Sequence, residues 1–176
     1  MTILNTRVVL ARRPEKRATP DCFAIETQEL GSLPDHEIRV AVEYISVDAG
    51  TRTMLRGEGF HMQVGLGEPI LAGGVGKILE SNVAGWQVGD VVRGRLCAQT
   101  IATVPPEALE KIAHSNLPLS VHLGALGGST GVTAWIGVRC VAKPKPGDVF
   151  VVSAAAGAVG AVVGQIAKRD GATVIG

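Results

Sequence analysis

The end of the chain, VVSAAAGAVGAVVGQIAKRDGATVIG, constrains the fold more than any other segment. It begins within a continuous apolar run at 149–152, which is typical of a strand that is covered on both faces. Beyond a turn of small residues, Lys168 and Arg169 suit the last turn of a helix, Gly171 suits the position after it, and ATVIG begins another strand. The helix itself is indicated by apolar residues at amphipathic spacing: Val159, Val162, Val163, Ile166 and Ala167. The order strand, turn, helix, strand predicts the start of a doubly wound parallel sheet.

The turn between this strand and helix resembles a phosphate-binding turn. The fingerprint G-x-G-x-x-G would place glycines at 155, 157 and 160, where this chain has Ala155, Gly157 and Gly160. Gly157 lets the backbone approach a pyrophosphate, Gly160 allows close helix–strand packing, and free N–H groups at the helix start attract phosphate oxygens. A turn that serves packing alone remains an alternative, because the first glycine is absent. The residue that would recognise the ribose lies about 20 residues further on, at or past Gly176.

The first two-thirds of the chain read mostly as short strands. In HEIRVAVEY, Ile38, Val40, Val42 and Tyr44 alternate with polar or small residues, which predicts a half-buried strand. Tyr44 is expected in the core, with a substrate contact as the alternative. The alternation breaks at Ile45, where a bulge or a strand end is expected. Further strands are predicted in RVVLARR, CFAIETQ, GVGKILES and DVVRGRL, and together they favour a small barrel or sandwich. PPEALEKIA predicts a helix that begins with proline.

Composition excludes several classes of protein. Lys plus Arg (17) nearly balances Asp plus Glu (16), so neither a basic face for nucleic acid nor an acidic tail is expected. Cys22, Cys97 and Cys140 are too far apart for a disulfide framework or a zinc signature, which fits a reducing compartment. The start MTILNTRVVLARRPEKR lacks a signal-peptide core, and no apolar run reaches the ~18 residues of a membrane span. These features predict a soluble cytoplasmic protein without a membrane segment.

Longer stretches carry a family resemblance. NLPLSVHLGALGGSTGVTAWIGV and SAAAGAVGAVVGQIAK resemble the medium-chain dehydrogenase/reductase superfamily, and YISVDAGTR resembles the stretch LSVDPYMR of its zinc-independent branch. That branch comprises prostaglandin reductases, leukotriene B4 12-hydroxydehydrogenases and alkenal double-bond reductases. The resemblance implies an α/β plus β architecture, with a GroES-like β-barrel catalytic domain at 1–120 and the first part of an NADP-binding Rossmann domain at 121–176. It covers nearly all of this chain but about half of a family member, so we expect a longer reductase.

The resemblance also implies an activity, which is NADPH-dependent reduction of the C=C bond of α,β-unsaturated ketones or aldehydes. Hydride would pass to the β-carbon, and the resulting enolate would be protonated at the α-carbon. Asp48, Gly50 and Arg52 are the implied substrate-pocket residues. The implied cofactor-binding residues are Thr133, Gly157, Ala158, Val159, Gly160 and Ala161, although Thr133 could equally serve helix packing. The catalytic group of the family has no counterpart in this chain, no metal is implied, and the full-length protein is expected to be a homodimer.

The chain departs from the family where relatives have aromatic residues. Gly50 stands for a tyrosine, and a second tyrosine aligns near Gly73 or Gly74. The family stretch G-W-Q-E-Y becomes CAQTI, with Ala98 and Ile101 in the aromatic positions. These changes would widen the pocket and remove phenolic donors, and they predict a preference for bulky enones.

Parts of the sequence bear on three other functions. GGSTG matches a nucleophile elbow with Ser129, but no strand precedes it and the last histidine, His122, lies before it, so a hydrolase is disfavoured. A zinc alcohol dehydrogenase is disfavoured because YISVDAG lacks a first zinc ligand and His61 has no sulfur partner nearby in the sequence. An NADPH-binding protein of the same superfamily, either quinone-oxidoreductase-like or regulatory without turnover, remains an open alternative.

Overall fold

A computed structural model describes residues 3–59, 62–113 and 116–176. The chain divides into two compact units, Met1–Asn116 (unit 1) and Leu117–Gly176 (unit 2). The domain assignment made from the sequence, 1–120 and 121–176, stays a prediction. In the part of the chain that the structure describes, no helix is both long and apolar enough to cross a membrane.

The regular secondary structure of unit 1 consists mainly of antiparallel strands. Strands β1 and β2 form a hairpin, and the other five form a sheet in the order β6-β3-β4-β5-β7. One short helix, α1 (Ala49–Met54), follows β3. The strands are β1 (Ile3–Leu10), β2 (Phe23–Leu30), β3 (Ile38–Ile45), β4 (Gly73–Ser81), β5 (Val91–Arg95), β6 (Ile101–Val104) and β7 (Leu109–Lys111). The strand predictions for this part of the chain are therefore confirmed.

Two clusters of buried apolar side chains stabilise unit 1. The first lies on the five-stranded sheet and consists of Ile38, Val40, Ile78, Val92, Leu96 and Ala102. The second lies around α1 and the end of β1 and consists of Leu10, Leu55, Val64, Ile70 and Ala98. Full burial of one such Val, Leu or Ile side chain contributes about 1.5–3 kcal/mol. The second cluster forms the floor on which α1 and its flanking loops are placed.

Tyr44 is not in the core, so that prediction is wrong. The register of β3 on β4 shifts between Val42 and Tyr44, because Val42 faces Gly76 whereas Tyr44 faces Val75. An extra residue in one strand moves every later side chain to the other face. Tyr44 therefore leaves the face of Ile38 and Val40, and half of its side chain (50%) is exposed.

The helix predicted in PPEALEKIA is also wrong. A single 3₁₀ turn, Pro106–Ala108, leads directly into β7, which pairs with β5. The turn is closed by the N–H of Ala108, which donates to the carbonyl of Pro105 at 3.0 Å. At Gly94 of β5, a Cβ atom would lie 2.2 Å from the carbonyl oxygen of Ala108. The strand pairing therefore depends on a glycine in the neighbouring strand, which a local pattern in PPEALEKIA does not reveal.

Unit 2 contains one β-α-β unit preceded by helical turns. A 3₁₀ turn (Leu119–His122), α2 (Thr130–Ile136) and a π-helical turn (Gly137–Ala142) come first. Strand β8 (Val149–Val151), α3 (Ala158–Arg169) and strand β9 (Thr173–Ile175) follow, and β8 pairs with β9 in parallel. The predicted order strand, turn, helix, strand is confirmed.

The surroundings of β8 differ from the prediction. Val149 and Val151 are 65% and 72% exposed, although the continuous apolar run predicted a strand covered on both faces. These two valines alternate with the half-buried Phe150 and the buried Val152, so only one face of the strand is covered within the described part of unit 2. The prediction of full coverage is therefore wrong for this structure.

Candidate functional site

The turn between β8 and α3 brings the backbone of the strand very close to the helix. A Cβ atom on Gly160 would lie 2.3 Å from the carbonyl oxygen of Ala154, a distance that side chains do not occupy. A Cβ atom on Gly157 would lie 3.1 Å from the same oxygen and would contact nothing else within 4 Å. Gly160 is therefore required for close packing, whereas Gly157 leaves the space before the helix open.

The position of the missing first glycine is not the one with the left-handed backbone in this turn. Ala155 occupies that position, but the residue with the left-handed backbone is its neighbour Ala154, with φ of +51°. The turn is closed where the N–H of Gly157 donates to the carbonyl of Ala154 at 2.8 Å. An isolated alanine at positive φ is tolerable when the surrounding contacts fix it.

Helix α3 begins at Ala158, with Gly157 in extended backbone as its N-cap. The N–H groups of Ala158, Val159 and Gly160 have no partner within the helix, because the first turn of any α-helix lacks acceptors for them. These N–H groups lie at the carboxyl end of β8, the edge at which open α/β sheets bind ligands. At the other end, Gly171 has φ of +91° directly after the C-cap Asp170, as predicted.

Thr133 lies on α2, at an exposed position beside the buried Ala134. Helix α2 packs against α3, so both elements of the predicted cofactor-binding set belong to unit 2. Thr133 is exposed within this unit, and its role in cofactor binding stays a prediction.

Unit 1 contains a cavity of about 430 Å³, which we call the substrate cavity because Asp48 and Gly50, two of the residues predicted to line a substrate pocket, line it. Its volume lies within the range of ~300–1,000 Å³ that is usual for small-molecule sites. Two methionines and one arginine contribute to the wall, and the Nη1 of Arg95 donates to the sulfur of Met62 at 3.1 Å. The described residues that line it are Asp48, Gly50, Thr51, Met54, Met62, Leu71, Ala72, Gly73, Gly94 and Arg95.

The structure places the three predicted pocket residues differently. Asp48 and Gly50 line the substrate cavity, and the carboxylate of Asp48 accepts a hydrogen bond from the Ser46 hydroxyl at 2.7 Å. Arg52 is not among the described residues that line it, because its guanidinium donates to the carbonyl of Lys16. The sequence motif thus brings two of its three residues to this cavity.

The sequence left open whether Gly73 or Gly74 aligns with the second tyrosine of the family. In the structure these two glycines have different surroundings. A Cβ atom on Gly73 would meet nothing within 4 Å, and Gly73 lines the substrate cavity. A Cβ atom on Gly74 would lie 2.8 Å from the Cβ of the buried Leu96. Gly50 also has open space in the direction of a side chain. Gly50 and Gly73 are therefore the two positions at which a larger residue would narrow the cavity.

A second cavity, which sequence reasoning missed, adjoins the first. We call this cavity of about 320 Å³ the apolar chamber. It shares Thr51, Leu71 and Ala72 with the substrate cavity. The full lining comprises Val8, Phe23, Ile45, Ser46, Val47, Thr51, Leu55, Ile70, Leu71, Ala72 and Ala98. The signal that could have found it was Ala98, which stands in the place of a family aromatic residue.

The described residues offer no group of three or more His, Cys, Asp or Glu side chains arranged to hold a metal ion. His61, considered above as a zinc ligand, lies outside the described residues. Cys97 has a left-handed backbone with φ of +61°, and it stands where the resembling stretch has glycine. Burial raises the pKa of the Cys97 thiol, so the neutral form of this side chain is favoured.

Comparison with known proteins relates this geometry to a family. A family model described as the N-terminal domain of oxidoreductase matches residues 6–112. The NADPH-dependent curcumin reductase of Escherichia coli (strain K12) is 34% identical over 173 residues, covering 98% of this chain and 50% of the relative. The NADP(+)-dependent 2-alkenal reductase of Nicotiana tabacum is 40% identical over 136 residues, covering 76% of this chain and 39% of the relative. The chain thus spans about half the length, or less, of these curated relatives.

Solved structures agree with this result. The crystal structure of CurA from Vibrio vulnificus in complex with NADPH has a TM-score of 0.80 and 31% identity, and the match covers 97% of this chain and 51% of that one. The fold predicted from the sequence, a GroES-like domain followed by the start of a Rossmann fold, is confirmed. The chain belongs to the oxidoreductase family defined by this N-terminal domain, within the medium-chain dehydrogenases/reductases that include the alkenal reductases.

Proposed function

We propose that this chain forms part of an NADPH-dependent oxidoreductase that reduces the C=C bond of α,β-unsaturated ketones or aldehydes without zinc. The observation that carries the proposal is the turn at Gly157 and Gly160. The absence of a side chain at Gly160 permits close packing of strand and helix, and its absence at Gly157 leaves the start of α3 open. The names of the curcumin and alkenal reductase relatives support the cofactor and the reaction class.

The residues of the turn fit the pyrophosphate of a dinucleotide. Backbone N–H groups of Ala158, Val159 and Gly160 would donate to its oxygens, and the positive end of the α3 dipole would favour their negative charge. Because Gly157 has no Cβ, these donors are not screened by a side chain of the N-cap residue. Ala161 begins the second turn of the helix, where its N–H already donates to the carbonyl of Gly157 at 2.9 Å.

When bound, NADPH supplies the hydride that is added to the β-carbon of the enone. The substrate cavity of this chain binds and orients the enone and excludes water from it. A proton then completes the reaction at the α-carbon, so that one enone, one NADPH and one proton give the saturated carbonyl compound and NADP⁺. We assign Thr133 to the carboxamide end of the cofactor, since it is exposed on α2 and carries a hydroxyl that can hydrogen-bond an amide.

The test uses the complete protein encoded by the gene, purified and dialysed against EDTA. We expect NADPH oxidation that depends on an enone such as benzylideneacetone, with the saturated ketone as product. Activity that is lost on chelation and restored by zinc would contradict the zinc-independent assignment. Cofactor binding without turnover of any enone would favour the regulatory alternative, and turnover of menadione alone would favour a quinone oxidoreductase. Light scattering tests the expected homodimer, and cell fractionation tests the expected cytoplasmic location.

A further inference from the structure

The proposed function leaves the apolar chamber without a role. Among the described residues that line it, only Ser46 and Thr51 have polar side chains, and none has a charged side chain. The Ser46 hydroxyl already donates to Asp48 at 2.7 Å. A ligand group in this chamber would therefore find apolar contacts and few free hydrogen-bond partners from side chains. The chemistry of the chamber suits a hydrocarbon or aryl group.

The floor of the chamber is formed by residues of the second core cluster. Leu55, Ile70 and Ala98 are 3%, 8% and 9% exposed, so the floor is fixed by packing. The backbone of Ala98 is held on both sides, because its carbonyl accepts from the N–H of Val8 at 2.8 Å and its N–H donates to the carbonyl of Ile70 at 2.9 Å. The space above Ala98 exists because its side chain is only a methyl group.

The chamber adjoins the substrate cavity and is large enough for part of a ligand. The two cavities share Thr51, Leu71 and Ala72 as lining residues, so they meet at these three residues. A cavity of about 150 Å³ with apolar walls binds benzene. The chamber, at about 320 Å³, has room for a ring with a short chain.

We propose that the apolar chamber is a subsite for the hydrocarbon or aryl arm of the enone substrate, with Ala98 and Val47 as specificity-determining residues. This inference rests on the proposed function for the identity of the ligand. It names the substrate class more narrowly: enones that carry an uncharged apolar arm of several carbon atoms beyond the conjugated group.

The test compares pentyl vinyl ketone with methyl vinyl ketone in the complete protein. Burial of each additional methylene group strengthens binding about fourfold, so the four extra methylenes of the pentyl compound should raise kcat/KM by at least about tenfold. Val47→Asp places a charge at the rim, where Val47 is 88% exposed, and should lower the pentyl-to-methyl ratio by about fivefold or more. Val88→Asp is the matched control, since Val88 is also exposed (71%) but lines neither cavity, and should leave the ratio unchanged. Ala98→Phe fills the chamber from its floor and should also lower the ratio.

A binding measurement separates this inference from the proposed function. Ethyl pentyl ketone is saturated and cannot be reduced at a C=C bond, and ligand-observed NMR reports its binding directly. If NMR detects contacts between the pentyl chain and the protein that are lost in Val47→Asp and kept in Val88→Asp, the subsite is supported even when no enone is reduced. Reduction of both enones at equal kcat/KM, with no binding of ethyl pentyl ketone, overturns the subsite and leaves the proposed function intact. If Val47→Asp lowers the thermal stability and the enzyme shows no chain-length preference, another segment of the complete polypeptide occupies the chamber. This result also overturns the inference.

Discussion

Replacing Gly160 by alanine should destabilise the protein, although alanine is the better helix former. Alanine gains about 1 kcal/mol over glycine inside a helix. In α3, however, the new Cβ would lie 2.3 Å from the carbonyl oxygen of Ala154, so the strand and helix must separate by about 1 Å. Such overpacking costs about 3 kcal/mol at the upper end of the usual range, which leaves a net loss of about 2 kcal/mol.

Gly164→Ala provides the matched control in the same helix. Its Cβ would lie 3.5 Å from a methyl group of Val174, which is an ordinary contact, so this variant should gain about 1 kcal/mol. Urea denaturation of the complete protein, followed by circular dichroism, should therefore separate the two variants by about 3 kcal/mol. NADPH affinity should fall in Gly160→Ala and stay unchanged in Gly164→Ala. Equal stability and equal affinity of the two variants would refute the close approach of strand and helix at this turn.

Three further predictions concern the cofactor turn, the substrate cavity and an exposed ion pair. Gly157→Val should raise the NADPH dissociation constant at least about tenfold, or about 1.4 kcal/mol, and unchanged affinity in a folded variant would mean that the turn serves packing alone. Gly50→Tyr should lower the ratio of kcat/KM for benzylideneacetone to kcat/KM for methyl vinyl ketone by about tenfold, which corresponds to about 55 Å² of lost apolar contact. An unchanged ratio would show that Gly50 does not face the substrate. Hydrogen bonds from the Lys111 side chain and from the N–H of Gln87 lower the pKa of Asp90. The ion pair of Lys111 and Asp90 therefore stabilises the fold above the unfolded-state pKa of Asp90, and this stabilisation is lost as the pH falls through the folded-state pKa. Lys111→Met should raise the Asp90 pKa in an NMR titration, and an unmoved titration curve would contradict this assignment.

Much of unit 2 could be predicted because its signals are local. A four-residue apolar run, two glycines three positions apart and a helical stripe determine a β-α-β unit through backbone sterics and burial alone. Gly160 shows this most clearly, because the packing role predicted for it corresponds to a backbone contact that no larger residue could accept. Gly171 likewise adopts the positive φ that its place after the helix indicated.

The errors in unit 1 arise where distant parts of the chain decide the local structure. The position of Tyr44 depends on a bulge in the pairing of β3 with β4, and a bulge reverses the alternation on which the prediction relied. β7 replaces a predicted helix because Gly94, on a neighbouring strand, lets its backbone approach. Both effects are set by strand partners far along the sequence.

The candidate cavities were only partly accessible from the sequence. The motif YISVDAGTR places Asp48 and Gly50 at the substrate cavity, whereas Met62, Gly94 and Arg95 come from separate loops and strands. Their convergence is a property of the antiparallel sheet rather than of any linear pattern. The apolar chamber combines residues from β1 to the segment after β5, so only Ala98 gave a sign of it in the sequence.

Isotope transfer tests the central claim most directly. The complete protein is incubated with benzylideneacetone and NADPH that carries deuterium at the transferable position of the nicotinamide, and the product is examined by NMR. Direct hydride transfer to the C=C bond predicts the saturated ketone with deuterium at the β-carbon and the carbonyl group intact. Deuterium at the carbonyl carbon of an allylic alcohol, or a saturated ketone without deuterium, would contradict the account.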